Sequence, residues 1–103
     1  MRPAFTPLAE QDLEAIADYI AADNPVRALS FVRELRTQCQ RITLNPPGYR
    51  LRPELGDRIR SCAHGHHVIF FESNSDVVVI VRILHGARDI PAVFGADPES
   101  PVR

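Results

Sequence analysis

The run Val77-Val78-Val79-Ile80-Val81-Arg82-Ile83 constrains this chain more than any other stretch. It is β-branched at every position but Arg82, and side chains branched at Cβ favour extended backbone. A continuous apolar run is buried on both faces, so the segment belongs in the middle of a sheet. It then gives way at once to a polar elbow, His85-Gly86-Ala87-Arg88-Asp89. Chemistry-bearing side chains are therefore expected where a central strand leaves the sheet.

Upstream of residue 58 the apolar period is helical. Thr6-Pro7 is a helix start, with Thr as N-cap and Pro at the first helical position. Ala9, Leu13, Ile16, Ala17, Ile20 and Ala21 then share one stripe, with Glu10, Glu14 and Asp18 on another surface. Asp23-Asn24-Pro25 ends this helix and caps a second in the same way. The second runs to about Thr43, with Ala28, Val32, Leu35, Cys39 and Ile42 as its seam, widened by Leu29 and Phe31. A break this short implies an αα-hairpin. Arg33, Arg36 and Arg41 on the second helix are expected to attract the acidic stripe of the first. Exposed pairs contribute only about 0–1 kcal/mol each.

Asn45-Pro46-Pro47-Gly48 stops the second helix, and a polar loop follows. From Arg58 the period becomes two. Strands are expected over Arg58–Ala63, His66–Ser73 and Asp76–Leu84, reversed at Gly65 and at Asn74-Ser75. Residues 2–6 read as a further short strand joining an edge. The expected order is β-α-α-β-β-β, an α+β domain with a helical hairpin packed on a mostly antiparallel sheet. Core candidates are Leu13, Ile16, Ile20, Val32, Leu35, Ile69, Phe71, Val79 and Val81. The 103 residues suffice for one domain, expected over 1–94, with 95–103 as a tail. No apolar run is long enough to cross a membrane, and nothing at the N-terminus resembles a secretory signal, so a cytoplasmic location is expected. Cys39 and Cys62 fit no metal or redox spacing and are expected as free thiols.

The net charge of −1 argues against a general nucleic-acid binder, but charge is unevenly spread. All 12 basic residues are Arg, and residues 1–24, 25–60 and 61–103 carry −4, +5 and −2. Arg suits multidentate contacts to carboxylate or phosphate. Three clusters are candidates for chemistry. His64-Gly65-His66-His67 invites a metal site, but strand alternation and a hairpin at Gly65 are expected to splay His64 from His67, leaving a solvated tip. No metal is expected there. Alternation places Arg82 with Val78, Ile80 and Leu84, and His85 with Val81 and Ile83. Arg82 then either pairs with an acid such as Asp89 or joins Arg58 and Arg60 on an anion-binding face. Arg50, Arg52, Arg58 and Arg60 suit a phosphate surface, an acidic peptide or a plain solvated edge. Phosphate loops, nucleophile elbows and paired catalytic carboxylates are absent.

Four phrases in order carry a resemblance: TPLAEQDLEAIADYIAADNPVRALSFVRELRTQCQRI, RPELGDRIRS, GHHVIFFE and VRILHGARDI. Over residues 6–90 the chain resembles the ParE/RelE superfamily of bacterial toxins, its ParE branch above all. That resemblance implies the toxin of a type II toxin–antitoxin system, with no cofactor and in a hetero-oligomer with a ParD-like antitoxin. The antitoxin would wrap a C-terminal segment around the toxin and bind operator DNA; the toxin alone would not bind DNA. ParE-like members are associated with poisoning DNA gyrase, and RelE-like members with cutting mRNA on the ribosome. The chain departs from both patterns. His66 and His67 stand where ParE-like sequences often have a basic residue and a tyrosine. There is no Lys, and Phe94 stands where a terminal Tyr is found in RelE-like chains. Binding without chemistry is therefore the expected mode, through Arg58, Arg60, Arg82, His85 and Arg88 toward the target and Arg33, Arg36, Arg58 and Arg60 toward the antitoxin. A RelE-type nuclease would instead use His85 as base with Arg60 and Arg82 stabilising charge. A non-toxic interaction protein of the same fold is the third class.

Overall fold

The computed structural model describes residues 2–96. Along the chain lie β1 (Ala4–Phe5), α1 (Pro7–Ala21), α2 (Pro25–Ile42), a 3₁₀ turn (Pro46–Gly48), β2 (Arg50–Leu51), β3 (Arg60–His64), β4 (His67–Ser73), β5 (Val78–His85) and α3 (Ile90–Ala96). The sheet order is β1-β5-β4-β3-β2, antiparallel except where β1 pairs with β5. The expected α+β architecture is present, with the N-terminal strand on an edge. β2 is an addition, and the segment after Asp89, which the sequence leaves open between a turn of helix and extended chain, forms α3. The tail expected from residue 95 lies outside the described residues, apart from Gly95 and Ala96, which close α3.

Both helices begin as their caps dictate. Thr6 Oγ1 accepts from the Ala9 N–H at 3.0 Å, and Asn24 Oδ1 accepts from the Arg27 N–H at 3.0 Å, each satisfying a donor that the first turn leaves open. Thr6 also joins layers. Its hydroxyl donates to the Val81 carbonyl at 2.8 Å and its N–H to the Ile80 carbonyl at 3.0 Å. One residue thus ends β1, starts α1 and fixes both to β5.

The sheet is covered on both faces. On one side α1 and α2 bury Leu13, Phe31, Leu35, Cys39 and Ile42 against Cys62, Ile69, Phe71, Val78, Ile80 and Ile83. On the other, α3 and the loop before β3 bury Ile90, Phe94, Leu55 and Ile59 against Phe70, Val81 and Leu84. Two cores explain why β5 is apolar at every position but Arg82 and His85. Of the expected core residues, Leu13, Leu35, Ile69, Phe71 and Val81 are buried, while Ile16, Ile20, Val32 and Val79 are partly covered. Both cysteines are free and buried, and burial pushes the Cys39 thiol up to about 12.

The alternation expected in β5 fails at one point. Phe70 pairs with Arg82 but Phe71 with Ile80, so Val81 is an extra residue, a β-bulge. Beyond it the faces exchange. Ile83 joins Val78 and Ile80 under the helices, whereas Val81 and Leu84 face α3. Arg82 therefore does not share a face with Val78 and Ile80.

Thr6→Ala should cost about 1–2 kcal/mol in chemical denaturation, the usual loss for an N-cap. Thr6→Asp keeps the cap acceptor but cannot donate to the Val81 carbonyl when ionised. It should recover only part of that loss; full recovery would show that the bond to β5 contributes nothing.

Candidate functional site

Beyond Ile80 no strand covers the β1 side of β5 among the described residues. Asp12 of α1 closes part of this edge. Its carboxylate accepts from the Ile83 N–H at 2.9 Å and from the Arg82 guanidinium at 2.8 and 3.0 Å. Both side chains are only 11% exposed. Asp12, not Asp89, is the acid that Arg82 requires. Asp89 Oδ1 instead accepts from the Ala92 N–H, at 3.4 Å, at the start of α3.

The histidines lie at the end of the same sheet. A two-residue turn, Gly65-His66, joins β3 to β4, and Gly65 takes φ +59°. A positive φ at the first turn position suits Gly and matches the strand twist. Such a turn places His64 directly opposite His67, and His67 is opposite His85. The expected splaying of His64 from His67 is thus overturned: a two-residue turn makes its flanking residues cross-strand partners on one face. The Phe31 ring packs on His64 and His67, with centroids 5.6 and 5.4 Å away. His85 meets His67 edge-on at 5.2 Å and stacks on His66 at 6.1 Å. Among the described residues no group of three or more His, Cys, Asp or Glu is arranged to hold a metal.

His67 Nδ1 is buried without a hydrogen-bond partner among the described residues. Burial first, then the neighbouring His85, His66 and His64, push its pKa below the ordinary 6.5. At the outer end of the row His64 Nε2 lies 3.4 Å from Glu34. The Arg27 guanidinium, and then His64, hold that carboxyl below its usual range.

The arginines expected to act together are dispersed. Arg60 is opposite Phe71 and lies on the helix side. Its guanidinium donates to the carbonyls of Tyr49 at 2.7 Å and Pro47 at 3.4 Å, pinning the loop that follows α2. Arg58 borders a small hollow with Ser73 and Asn74, at the opposite end of β4 from His67, about 20 Å away at ~3.3 Å per residue. Arg82 is held by Asp12. The face joining Arg58, Arg60 and Arg82 therefore does not form, and neither does the His85, Arg60 and Arg82 constellation. His85 and Arg88 do come together. Both line a hollow of ≈ 280 Å³ against Ile16, Tyr19 and Ile83.

The set expected to face an acidic partner also divides. Arg33 and Arg36 line a more apolar hollow of ≈ 570 Å³ on the outer side of the α1–α2 hairpin, with Ala17, Ala21, Leu29 and Val32. Arg36 reaches Glu10 at 3.1 Å, the predicted attraction between the helices. Arg33 has no ion pair among the described residues. Arg58 and Arg60 lie elsewhere, so no single hollow unites the four.

Residues 4–90 match the family model described as "ParE toxin of type II toxin-antitoxin system, parDE". The chain belongs to the ParE toxin family. Its fold is that of a chain in the structure described as "Chromosomal ParDE TA system from P. aeruginosa": TM-score 0.69, 24% identity, 82% of this chain and 95% of that chain covered. No curated protein matches it by sequence.

Sequence reasoning missed Asp12 because 70 residues separate it from Arg82. It missed the histidine row, although Gly at the first position of a two-residue turn was the signal for it.

Two outcomes follow for this ParE-family chain. Asp12→Ala, which removes the carboxylate paired with a buried guanidinium, should cost about 3–5 kcal/mol in denaturant unfolding. Asp12→Leu combined with Arg82→Met should recover most of it; a double variant as unstable as Asp12→Ala would refute the pairing. For His67 the folded pKa lies below the unfolded one. Its contribution is intact above about 6.5 and is lost as pH falls through the folded value, because the unfolded chain takes up the proton first. His67→Gln should flatten the decline in stability below pH 6.5, read from unfolding curves at several pH values.

Proposed function

We propose that this ParE-family protein is the toxin of a type II toxin–antitoxin pair, arresting growth by binding DNA gyrase and neutralised by a cognate antitoxin. The observation that carries the binding mode is the dispersal of its charged groups. Cleaving RNA requires a base, an acid and charge stabilisation around one phosphate. Here Arg82 is committed to Asp12, and Arg60 to the carbonyls of Tyr49 and Pro47. His85 keeps only Arg88 as a cationic neighbour at its hollow. Such a surface suits recognition of a protein.

The antitoxin belongs on the outer hollow of the helical hairpin. Small side chains at Ala17 and Ala21 let a helix approach closely, Leu29 is 67% exposed, and Arg33 and Arg36 supply positive charge at the rim. An amphipathic segment bearing carboxylates fits this chemistry. Among the described residues no helix is long and apolar enough to cross a membrane, and we place the toxin in the cytoplasm, where its target is.

Purified toxin, free of antitoxin, should inhibit gyrase supercoiling while leaving mRNA on translating ribosomes intact. Codon-positioned cuts with unimpaired gyrase would overturn the gyrase reading. Leu29→Asp should weaken antitoxin binding at least tenfold by calorimetry. Arg33→Ala should reduce its salt dependence, and unchanged affinity in both variants would place the antitoxin elsewhere.

A further inference from the structure

We infer that the open edge of β5, between Ile83 and His85, is a slot that takes one short strand of the toxin's protein target, parallel to β5. The inference rests on the proposal that this toxin works by binding gyrase, and assigns the surface and the chemistry of the segment it holds.

The backbone argument starts from Asp12. Because its carboxylate takes the Ile83 N–H from outside the sheet, the backbone groups of Ile83 point away from β4. Antiparallel pairing alternates this direction residue by residue, so those of His85 point the same way. The Val81 carbonyl, also outward, is taken by Thr6. The Ile83 carbonyl and the His85 N–H face no strand among the described residues. An acceptor and a donor that bracket one residue, Leu84, are what a single residue of a parallel strand bonds to. It gives its N–H to the Ile83 carbonyl and takes the His85 N–H on its own carbonyl. An antiparallel partner would need both backbone groups of one residue, but Asp12 occupies the Ile83 N–H and the Arg88 N–H occupies the His85 carbonyl. The edge therefore selects direction, and it extends the line of β1, also parallel to β5.

Side chains complete the slot. The hollow of ≈ 280 Å³ lies along this edge, walled by Ile16 and Ile20 of α1 and by Ile83, with Tyr19 83% exposed beside it. The residue preceding the bridging one would place an apolar side chain there. Arg88, exposed and in no ion pair among the described residues, stands just beyond His85. Of the residues lining the hollow only Asp12 carries a carboxylate, and it is already neutralised by Arg82. The mouth is thus net positive and complements an acidic side chain following the bridging residue. Unpaired edges are usually blunted by charge, proline or a cover; here the Ile83 carbonyl and the His85 N–H are left without a strand partner among the described residues. Strand addition takes affinity from main-chain bonds and specificity from pockets for alternate side chains.

The experiment follows the His85 amide by hydrogen exchange in antitoxin-free toxin, alone, with gyrase, and with the five-residue peptide Ala-Val-Ala-Glu-Ala, whose central residue is preceded by valine and followed by glutamate. Gyrase and the peptide should each slow exchange at His85 at least tenfold. Ala15→Arg, which fills the hollow from an exposed position of α1, should abolish both effects and gyrase inhibition while leaving antitoxin affinity unchanged. Arg88→Ala should weaken the peptide severalfold. Gyrase inhibition that leaves His85 exchange unchanged, or that survives Ala15→Arg, overturns the slot while the proposed function stands. Loss of antitoxin binding in Ala15→Arg gives the slot to the antitoxin and overturns the assignment. Faster His85 exchange on removing residues 97–103 gives it to the chain's own C-terminus, with the same consequence. If gyrase is not bound at all, the assignment falls with the proposed function.

Discussion

One carboxylate holds the two halves of this molecule in register. Asp12 sits on the second turn of α1 and closes the exposed edge of the most apolar strand, taking one backbone N–H and both sides of a guanidinium fork. Charge-assisted bonds of this kind are stronger than neutral ones, but a buried ion pair contributes little net stability over a well-packed apolar pair. Its consequence is geometric. With Thr6 at the start of the same helix, it fixes α1 along β5 at two points, so the rotation and height of the helix over the sheet are set. The bulge at Val81 belongs to the same arrangement: by adding a residue, it lets Arg82 pair with Phe70 across the sheet and still reach Asp12 around the edge.

The fixed position of α1 determines what the sheet end exposes. Because the helix is tied at Thr6 and Asp12, its later turns form a wall beside His85 and leave a hollow between. The histidines close the neighbouring end. His64, His67 and His85 cross three strands in one row against Phe31 of α2, and His67 is buried enough to prefer the neutral form. Burial and the neighbouring imidazoles lower the His67 pKa, so this end of the sheet loses stability in acid.

Cationic side chains divide into those that hold the fold and those left for partners. Arg60 and Arg82 hold the fold, and Arg36 does so weakly through Glu10 and by lying over the Phe5 ring at 5.2 Å. Arg33 and Arg88 stand at two separate hollows. The two surfaces proposed for the antitoxin and the target differ in chemistry: an apolar trough between helices for one and a strand edge beside Arg88 for the other.

Local rules were legible in the sequence. Thr6-Pro7 and Asn24-Pro25 determined where helices begin, because capping and proline geometry involve neighbours only. The change of period near residue 58 determined the strands, and the β-branched run determined which of them is central. The ordered phrases over residues 6–90 determined the family. Tertiary structure decided what depends on distant partners. The acid that neutralises Arg82 was chosen among several carboxylates by packing α1 on β5. The bulge at Val81 reversed the faces of the residues after it, since strand alternation carries no memory past an inserted residue. The second core depended on α3 folding back over Phe70 and Leu84, which no periodicity in a seven-residue segment specifies. The candidate site was legible only in His85 and Arg88, neighbours on one turn; residues brought to it from α1 became visible only when the helix was docked, because contact across 70 residues leaves no local trace.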